Sequence, residues 1–151
     1  MALIVPNDSE ILLLQYIVNS TNTDGTAPTA TVATYSSGNR VLHLFTNNLT
    51  PAETTTIGAV TEATASGYAS ITLLGTAWSI GTDGGGVTTA SYSEVTFTFT
   101  TAVTCYGYYI TTSSTYSGGV KLLWLERFTG APFQLPSGGG QIAITPKVSL
   151  E

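Results

Sequence analysis

His43 and Cys105 are the residues with which this chain could bind a metal or supply a nucleophile, and each is the only one of its type among 151 residues. One imidazole and one thiol fall short of the ligand set of a protein zinc site. If the strand around His43 is regular, its ring shares a face with Val41 and Phe45. This favours a hydrogen-bonded structural histidine, with a subunit contact or catalysis as alternatives. Cys105 is interpreted as a small buried hydrophobe, with a reactive thiol or an intermolecular disulfide as the alternative.

The carboxylates are too scattered to indicate the paired acids of a glycosidase. They include Asp8, Asp24, Glu53, Glu62, Asp83, Glu94 and Glu126. The sequence contains no G-x-S-x-G nucleophile motif, and the glycine run 84–86 lacks the lysine and helix that follow a phosphate-binding loop. We therefore predict no enzymatic activity, no catalytic residue, no cofactor and no metal.

Glu126 and Arg127 are adjacent charges inside an apolar strand. Neighbours on a strand point to opposite faces, so these two side chains do not simply pair with each other. A half-buried charge without a partner is costly, and each therefore needs one of its own. We expect a salt bridge or a hydrogen bond that pins a loop, with a contact to another subunit as the alternative.

Trp78, Trp124 and the eight tyrosines could form a platform on which sugars stack. Aromatic side chains more often bury their rings in the core and leave a polar tip at its rim. Core packing is therefore the first interpretation of the two tryptophans, and glycan contact is the second.

Charge is sparse in this chain, at 4 Lys+Arg against 9 Asp+Glu and a net charge of −5. Charged residues make up 9% of the sequence, whereas roughly 25% is typical of soluble domains. With 28 threonines and 14 serines, the surface must be mostly neutral and rich in hydroxyl groups. Four cations cannot neutralise the roughly 6–10 phosphates that a nucleic-acid binder engages, so nucleic acid is excluded as a partner. The apolar run 11–14 is far too short to predict a membrane-spanning helix.

One helix is predicted over residues 7–19. Asn7 or Asp8 can cap it, and Glu10 places an acid in its first turn. The helix is apolar nearly all round, which exceeds the stripe that one contact requires. The first interpretation is a helix that plugs one end of the β domain. The alternative is a second cover by a neighbouring subunit, for which Ile11, Leu14 and Val18 are candidate contacts.

Strand signals follow to the end of the chain, with hydroxyl-rich turns and no second helical period. Val95, Phe97 and Phe99 alternate strictly with threonines. Pro146 cannot donate to a ladder, so the last strand must lie at an edge or carry a bulge there. About eight strands are expected, among them 31–35, 41–46, 70–74, 95–99, 105–112, 120–128 and 142–150.

The predicted architecture is an all-β single domain, residues 1–151. It is an antiparallel β-sandwich over 28–151, jelly-roll or immunoglobulin-like, with one short N-terminal α-helix. Residues 47–67 form a long loop of the kind that is functional or mobile. Residues 81–86 and 136–140 are predicted to be loop tips.

Six short segments in this order resemble a group of small virion proteins of tailed bacteriophages. They are Met1-Ala2-Leu3 through Val5-Pro6; Asn48-Leu49-Thr50-Pro51; Gly67-Tyr68-Ala69 with Leu73 and Trp78 downstream; Tyr106-Gly107-Tyr108-Tyr109; Leu122-Leu123-Trp124 with Glu126-Arg127-Phe128; and Ile144-Thr145-Pro146-Lys147. The similarity spans nearly the whole chain. The threonine-rich stretch 21–34 and the glycine-rich tip near Asp83 depart from it.

The resemblance implies a structural component of the particle and no active site. Within a particle, small size, a neutral surface and an over-apolar helix favour a capsid decoration or cement protein on the head exterior, made in the host cytoplasm. Its expected partners are the major capsid protein and itself, as a homo-oligomer and in particular a trimer, with no nucleic acid and no membrane. Glu126 and Arg127 join the N-terminal helix as candidate contacts. The alternative is a tail-associated fibre, spike or adaptor module that binds host-surface glycan through Trp78 and Trp124.

Overall fold

The computed structural model describes residues 39–82, 88–112 and 119–150. The predicted helix 7–19, with Ile11, Leu14 and Val18, and the predicted strand 31–35 lie outside these residues. The described part is built from antiparallel strands and two short 3-10 helices, which confirms an all-β fold. None of its helices is long and apolar enough to cross a bilayer.

The described strands number eleven. They are β1 (Arg40–Phe45), β2 (Ile71–Leu73), β3 (Ser79–Thr82), β4 (Thr88–Ser91), β5 (Val95–Phe99), β6 (Val103–Cys105), β7 (Gly107–Thr112), β8 (Leu122–Arg127), β9 (Phe133–Leu135), β10 (Gly140–Ile144) and β11 (Lys147–Leu150). The 3-10 helices are Ile57–Ala59 and Gly75–Ala77.

Strands β2, β1, β7 and β8 form a four-stranded sheet in that order. Leu42 pairs with Ile110, and His43 pairs with Tyr109. Because side chains alternate along a strand, Leu42 and Ile110 share one face, which we call the core face. His43 and Tyr109 share the opposite one, which we call the outer face.

The rest of the fold is two long runs of chain that pair in three successive ladders. Strands β4, β5 and β6 follow one another and pair with β11, β10 and β9, while β3 adds to the free side of β4. Between the first two ladders, residues 92–94 stand opposite residues 145–146, a bulge in which the Tyr92 amide donates to the Pro146 carbonyl at 2.9 Å. The edge position predicted from Pro146 is confirmed, and the extra residue lies on the opposite run.

The main hydrophobic core joins the core face to the β5–β10 pair. Its buried members include Leu42 and Leu44 from the four-stranded sheet and Phe97, Phe99 and Ile142 from that pair. These five residues are the inward positions of alternating strands, as the sequence predicted for β5 and β10. Cys105 belongs to the same core and is fully buried, which confirms its interpretation as a small hydrophobe.

A second cluster lies on the outer face. Phe45, Tyr109, Leu122 and Leu125 are buried there, and the side chains of Leu49, Val60 and Tyr106 pack against them. Two of these covering residues come from residues 46–62, which we call the cover segment. Both faces of the four-stranded sheet are therefore covered.

Candidate functional site: a polar network under the cover segment

His43 lies at the centre of the outer face. Its ring stacks on Tyr109, the residue directly opposite it on β7, with centroids 4.6 Å apart and an interplanar angle of 11°. Nδ1 of His43 lies 2.7 Å from Oε1 of Glu62, and Nε2 lies 3.1 Å from Oγ1 of Thr111. Because a carboxylate only accepts, Nδ1 of His43 donates to Glu62. The predicted hydrogen-bonded histidine is confirmed.

The order Thr111–His43–Glu62 resembles the nucleophile, base and acid of a hydrolase triad. The hydroxyl, however, belongs to a residue that is 1% exposed in the interior of β7. A substrate carbonyl cannot approach an oxygen enclosed in this way. The contacts therefore orient the imidazole and hold Glu62 against the sheet.

Tyr68 completes the network through a gap in the edge of β1. Residues 61–63 run beside the end of β1, where Ala63 donates to the Leu44 carbonyl, while β2 pairs only with its beginning. The Leu44 amide between these partners donates to the Tyr68 hydroxyl at 3.2 Å. The same hydroxyl donates to Oε1 of Glu62 at 2.9 Å. Burial, first among the causes, raises the pKa of Tyr68 far above its usual value, so the phenol remains a donor.

A tight turn delivers Tyr68 to that gap. Gly67 has φ of +90°, and a Cβ there would lie 3.0 Å from the Thr100 amide nitrogen. That amide donates to the Ser66 carbonyl at 2.8 Å, which ties the turn to the end of β5. The Tyr68 ring then stacks against Phe97 and Phe99 of the core. A single side chain thus connects the core to the outer face.

The cover segment is a closed loop whose ends meet. The Thr46 amide donates to the Thr61 carbonyl at 2.9 Å. The Asn47 side chain donates to the Ala59 carbonyl and accepts from the Thr61 amide. Compact loops with adjacent ends and their own packed side chains are Ω-loops, which frequently carry function. The sequence predicted a long loop here, and the structure shows how it is closed.

Glu126 and Arg127 each take a separate partner, as their alternation required. The Tyr108 hydroxyl donates a short hydrogen bond to Oε2 of Glu126. Arg127 donates from its guanidinium to the Leu49 carbonyl at 2.9 Å and lies 5.0 Å from the centre of the Tyr106 ring. The predicted loop-pinning hydrogen bond is confirmed for Arg127, which holds the cover segment. Contact of these two residues with a subunit or capsid stays a prediction.

Trp78 and Trp124 come together although 46 positions separate them in the sequence. Their ring centroids are 6.4 Å apart, and Trp78 meets Tyr92 edge to face at 5.3 Å. Both indoles are half-buried and pack against the main core. The structure therefore joins the two candidate glycan contacts in one aromatic cluster, which we call the tryptophan cluster.

Within the described ranges, no group of three or more His, Cys, Asp or Glu side chains is placed to hold a metal ion. Cys105 is buried, and desolvation raises the pKa of its thiol to about 11. The irregular cover segment is fixed to the regular four-stranded sheet by the polar contacts of four side chains, which are those of His43, Glu62, Tyr68 and Arg127.

Sequence reasoning missed Tyr68 and Thr111 as partners of this network. Thr111 lies 68 positions from His43, so no local spacing connects them. Only the pairing of β1 with β7 brings them together. Glu62 was identified as a carboxylate but not as the partner of the histidine.

Comparisons of the chain with known protein families, with curated proteins and with solved structures found no match.

Proposed function

We propose that this chain is a structural virion protein that decorates the head of a tailed bacteriophage and bridges subunits of the major capsid protein. The observation that carries the proposal is an uncharged exposed face on the β5–β10 pair. Thr96 and Thr98 of β5 and Gln141 and Ala143 of β10 are exposed on this face, and Thr98 stands opposite Gln141. A face of this kind can be covered by another protein without leaving a charge unpaired.

The mechanism is thermodynamic. A protein that binds only the assembled shell stabilises it by mass action, and many copies on one shell multiply a modest interface through effective concentration. About 800 Å² on each partner is enough for a specific contact. A rigid sheet face with Phe97 and Phe99 packed behind it loses little conformational entropy on binding.

We also propose a specific type of β-fold and an oligomeric state for this chain. The four-stranded sheet and the β5–β10 pair share one core, which supports an antiparallel β-sandwich of jelly-roll or immunoglobulin-like type. A homo-oligomer, in particular a trimer, fits the local symmetry of an icosahedral head. The chain acts as a scaffold with no enzymatic activity.

Cryo-electron microscopy of virions carrying this chain tests the location. Density on the head exterior that accommodates the described fold is expected, and density at the tail alone would overturn the proposal. Reconstitution on undecorated heads then tests the face. Thr98→Lys should lower occupancy at least tenfold, because it buries an unpaired cation. Thr72→Lys, at an exposed threonine of β2, is the control and should bind normally. Equal binding of the two variants would reject the face.

A second function, glycan binding by a tail fibre, spike or adaptor module, is favoured by the tryptophan cluster. Neighbouring indoles are the side chains on which sugar rings stack. If this function is right, Trp78→Leu should abolish binding on a glycan array while circular dichroism stays native. Phe133→Leu, at an exposed aromatic of β9, is the matched control. No binding by the wild-type chain would reject this second function.

A further inference from the structure

Strand β3 is the least covered strand of the described fold. Ser79, Ile80 and Gly81 are all exposed, and Ile80 at 75% is the most exposed large hydrophobic side chain of the described residues. A Cβ added to Gly81 would meet nothing within 4 Å. The strand thus presents an apolar side chain with open space beside it.

Among the described residues, the backbone of β3 is paired on one side only. The strand lies at the edge of the sheet ordered β11-β4-β3 and, within the described residues, pairs only with β4. Its sequence, Ser-Ile-Gly-Thr, has no charge and no proline, the devices with which proteins protect an open edge. Two other sheet edges carry charge: β8 has Glu126 and Arg127, and β11 has Lys147.

We infer that β3 pairs antiparallel with β3 of a second copy of this chain, around a two-fold axis perpendicular to the sheet. Identical edges are self-complementary under such an axis, which is the commonest symmetry of protein dimers. The pairing would join two three-stranded sheets into one of six strands. Because the axis keeps each face on its own side, both Ile80 side chains lie on the same face and cover each other.

The lack of charge on β3 makes this edge suitable for a second copy of the chain. Two copies with a net charge of −5 repel each other, and the uncharged β3 brings no like charges into direct contact. Ile80 also continues an apolar row formed with Ala90 and the buried Val148 across the sheet. In the dimer, this row runs without interruption from one sheet into the next.

The expected dimer is weak. A strand of four residues buries less than the roughly 1,200 Å² of a standard interface, so association is expected only at high protein concentration. Copies held side by side on a larger assembly would pair more readily through effective concentration.

Sedimentation equilibrium of the full chain tests this inference, with Ile80→Lys as the variant. A concentration-dependent dimer is expected for the wild type, with at least tenfold weaker association for Ile80→Lys. Ile57→Lys changes an exposed isoleucine of the cover segment and should associate as the wild type does. A wild type that is monomeric at every concentration, or a dimer unaffected by Ile80→Lys, would overturn the inference.

Crosslinking gives an independent measure. Ile80→Cys should form a disulfide-linked dimer on mild oxidation, because the native Cys105 is buried and does not compete. Ile57→Cys should remain mostly uncrosslinked, and equal crosslinking of both variants would contradict pairing at β3. Both tests use the purified chain without a phage head. A chain that does not dimerise through β3 could therefore still decorate the head.

Discussion

The two faces of the four-stranded sheet are covered in different ways. The core face packs against β5 and β10 through side chains such as Leu42 and Phe97, with regular strands on both sides. The outer face is covered by an irregular segment, which is held by His43 and Arg127. Apolar packing holds two regular surfaces together without fixing direction, whereas an irregular segment needs directional bonds to choose one position.

The core face therefore supplies most of the stability of the fold, whereas the polar contacts of the outer face determine its shape. The apolar contacts of the core face contribute most of the stability that burial provides. The polar contacts of the outer face each contribute about 1 kcal/mol but decide where the cover segment lies. Damage to the core face should unfold the molecule, whereas damage to most outer-face tethers should loosen one loop.

Alkaline pH is expected to destabilise the packing on both faces of the four-stranded sheet. Burial, as the largest cause, raises the pKa values of Tyr68, Tyr108 and Tyr109 above their usual value of about 10. Their contribution to stability is therefore complete below pH 10 and is lost as the pH rises above it. The free energy of unfolding should fall by about 1.4 kcal/mol per pH unit for each phenol. Urea unfolding between pH 8 and pH 11.5 measures the slope.

Tyr108→Phe is the control for this titration, because it should remove one phenol from the slope. Absorbance at alkaline pH should show that only some of the eight tyrosines ionise near pH 10 while the protein is folded. Titration of all eight at that pH would contradict the burial of these phenols.

Leu44→Ala should lower the free energy of unfolding by about 3 kcal/mol. The side chain is fully buried, and its removal leaves a cavity between the two packed surfaces. Leu74→Ala makes the same chemical change at a leucine that is 51% exposed and should cost less than about 0.5 kcal/mol. Urea unfolding checks both, and similar losses would show that the core does not lie where we place it.

Gly107→Ala should cost about 2 kcal/mol because the outer face has no room beside this residue. A Cβ there would collide with the Glu126 carbonyl oxygen and come within 2.5 Å of the Phe45 ring. Gly81→Ala, in open space, should be neutral or slightly stabilising. Thermal unfolding of the two variants compares them directly, and a tolerated alanine at 107 would refute the close approach of β7 and β8.

Tyr68→Phe should cost about 1 to 2 kcal/mol while the ring stays packed in the core. The loss leaves the Leu44 amide without its acceptor and removes a donor from Glu62. Hydrogen exchange should therefore accelerate at the Leu44 amide. Tyr92→Phe removes a hydroxyl whose hydrogen bond to the Leu74 amide is exposed, so water can replace it, and stability should change little. Unchanged exchange at Leu44 would remove Tyr68 from the network.

Arg127→Gln should have the smallest effect on global stability, below about 1 kcal/mol, and a clear local one. Loss of its bond to the Leu49 carbonyl frees the middle of the cover segment. Limited proteolysis should cut within residues 50–58 several times faster than in the wild type. Lys147→Gln, at an exposed lysine of β11, removes the same charge elsewhere and should leave cleavage unchanged. Equal cleavage of the two variants would mean that Arg127 does not hold the segment.

Much of the strand pattern could be predicted from the sequence, because long strands with one buried face alternate visibly. β5 was predicted at its observed bounds, and β1, β7 and β8 within about two residues. The short strands β3 and β4 were missed because serine, threonine and glycine carry no alternating signal there, and β9 was missed because its three residues are too few to show a period. Gly81, predicted to be in a loop, lies within β3. Neighbouring strands, rather than local preference, place such segments in a sheet.

The site was less predictable, because its contacts depend on which strands are neighbours. The adjacency of Glu126 and Arg127 showed that each needed a partner and that a loop could be pinned. It could not identify Leu49, which lies 78 positions away from Arg127. His43 was predicted to be hydrogen-bonded for the same reason, without its partners. The local sequence shows that a polar side chain needs a hydrogen-bond partner. The identity of that partner depends on which strands are neighbours in the fold.

The chain between Thr88 and Thr112 takes part in each of the four described sheets, through β4, β5, β6 and β7 in turn. A single residue inserted or deleted within one of these strands would reverse the facing of the side chains in the rest of that strand, from core to solvent and back. The cover segment, whose ends meet, can change length without that penalty. Evolution should therefore vary this molecule by lengthening and reshaping residues 50–58 while the length of the run from 88 to 112 stays constant.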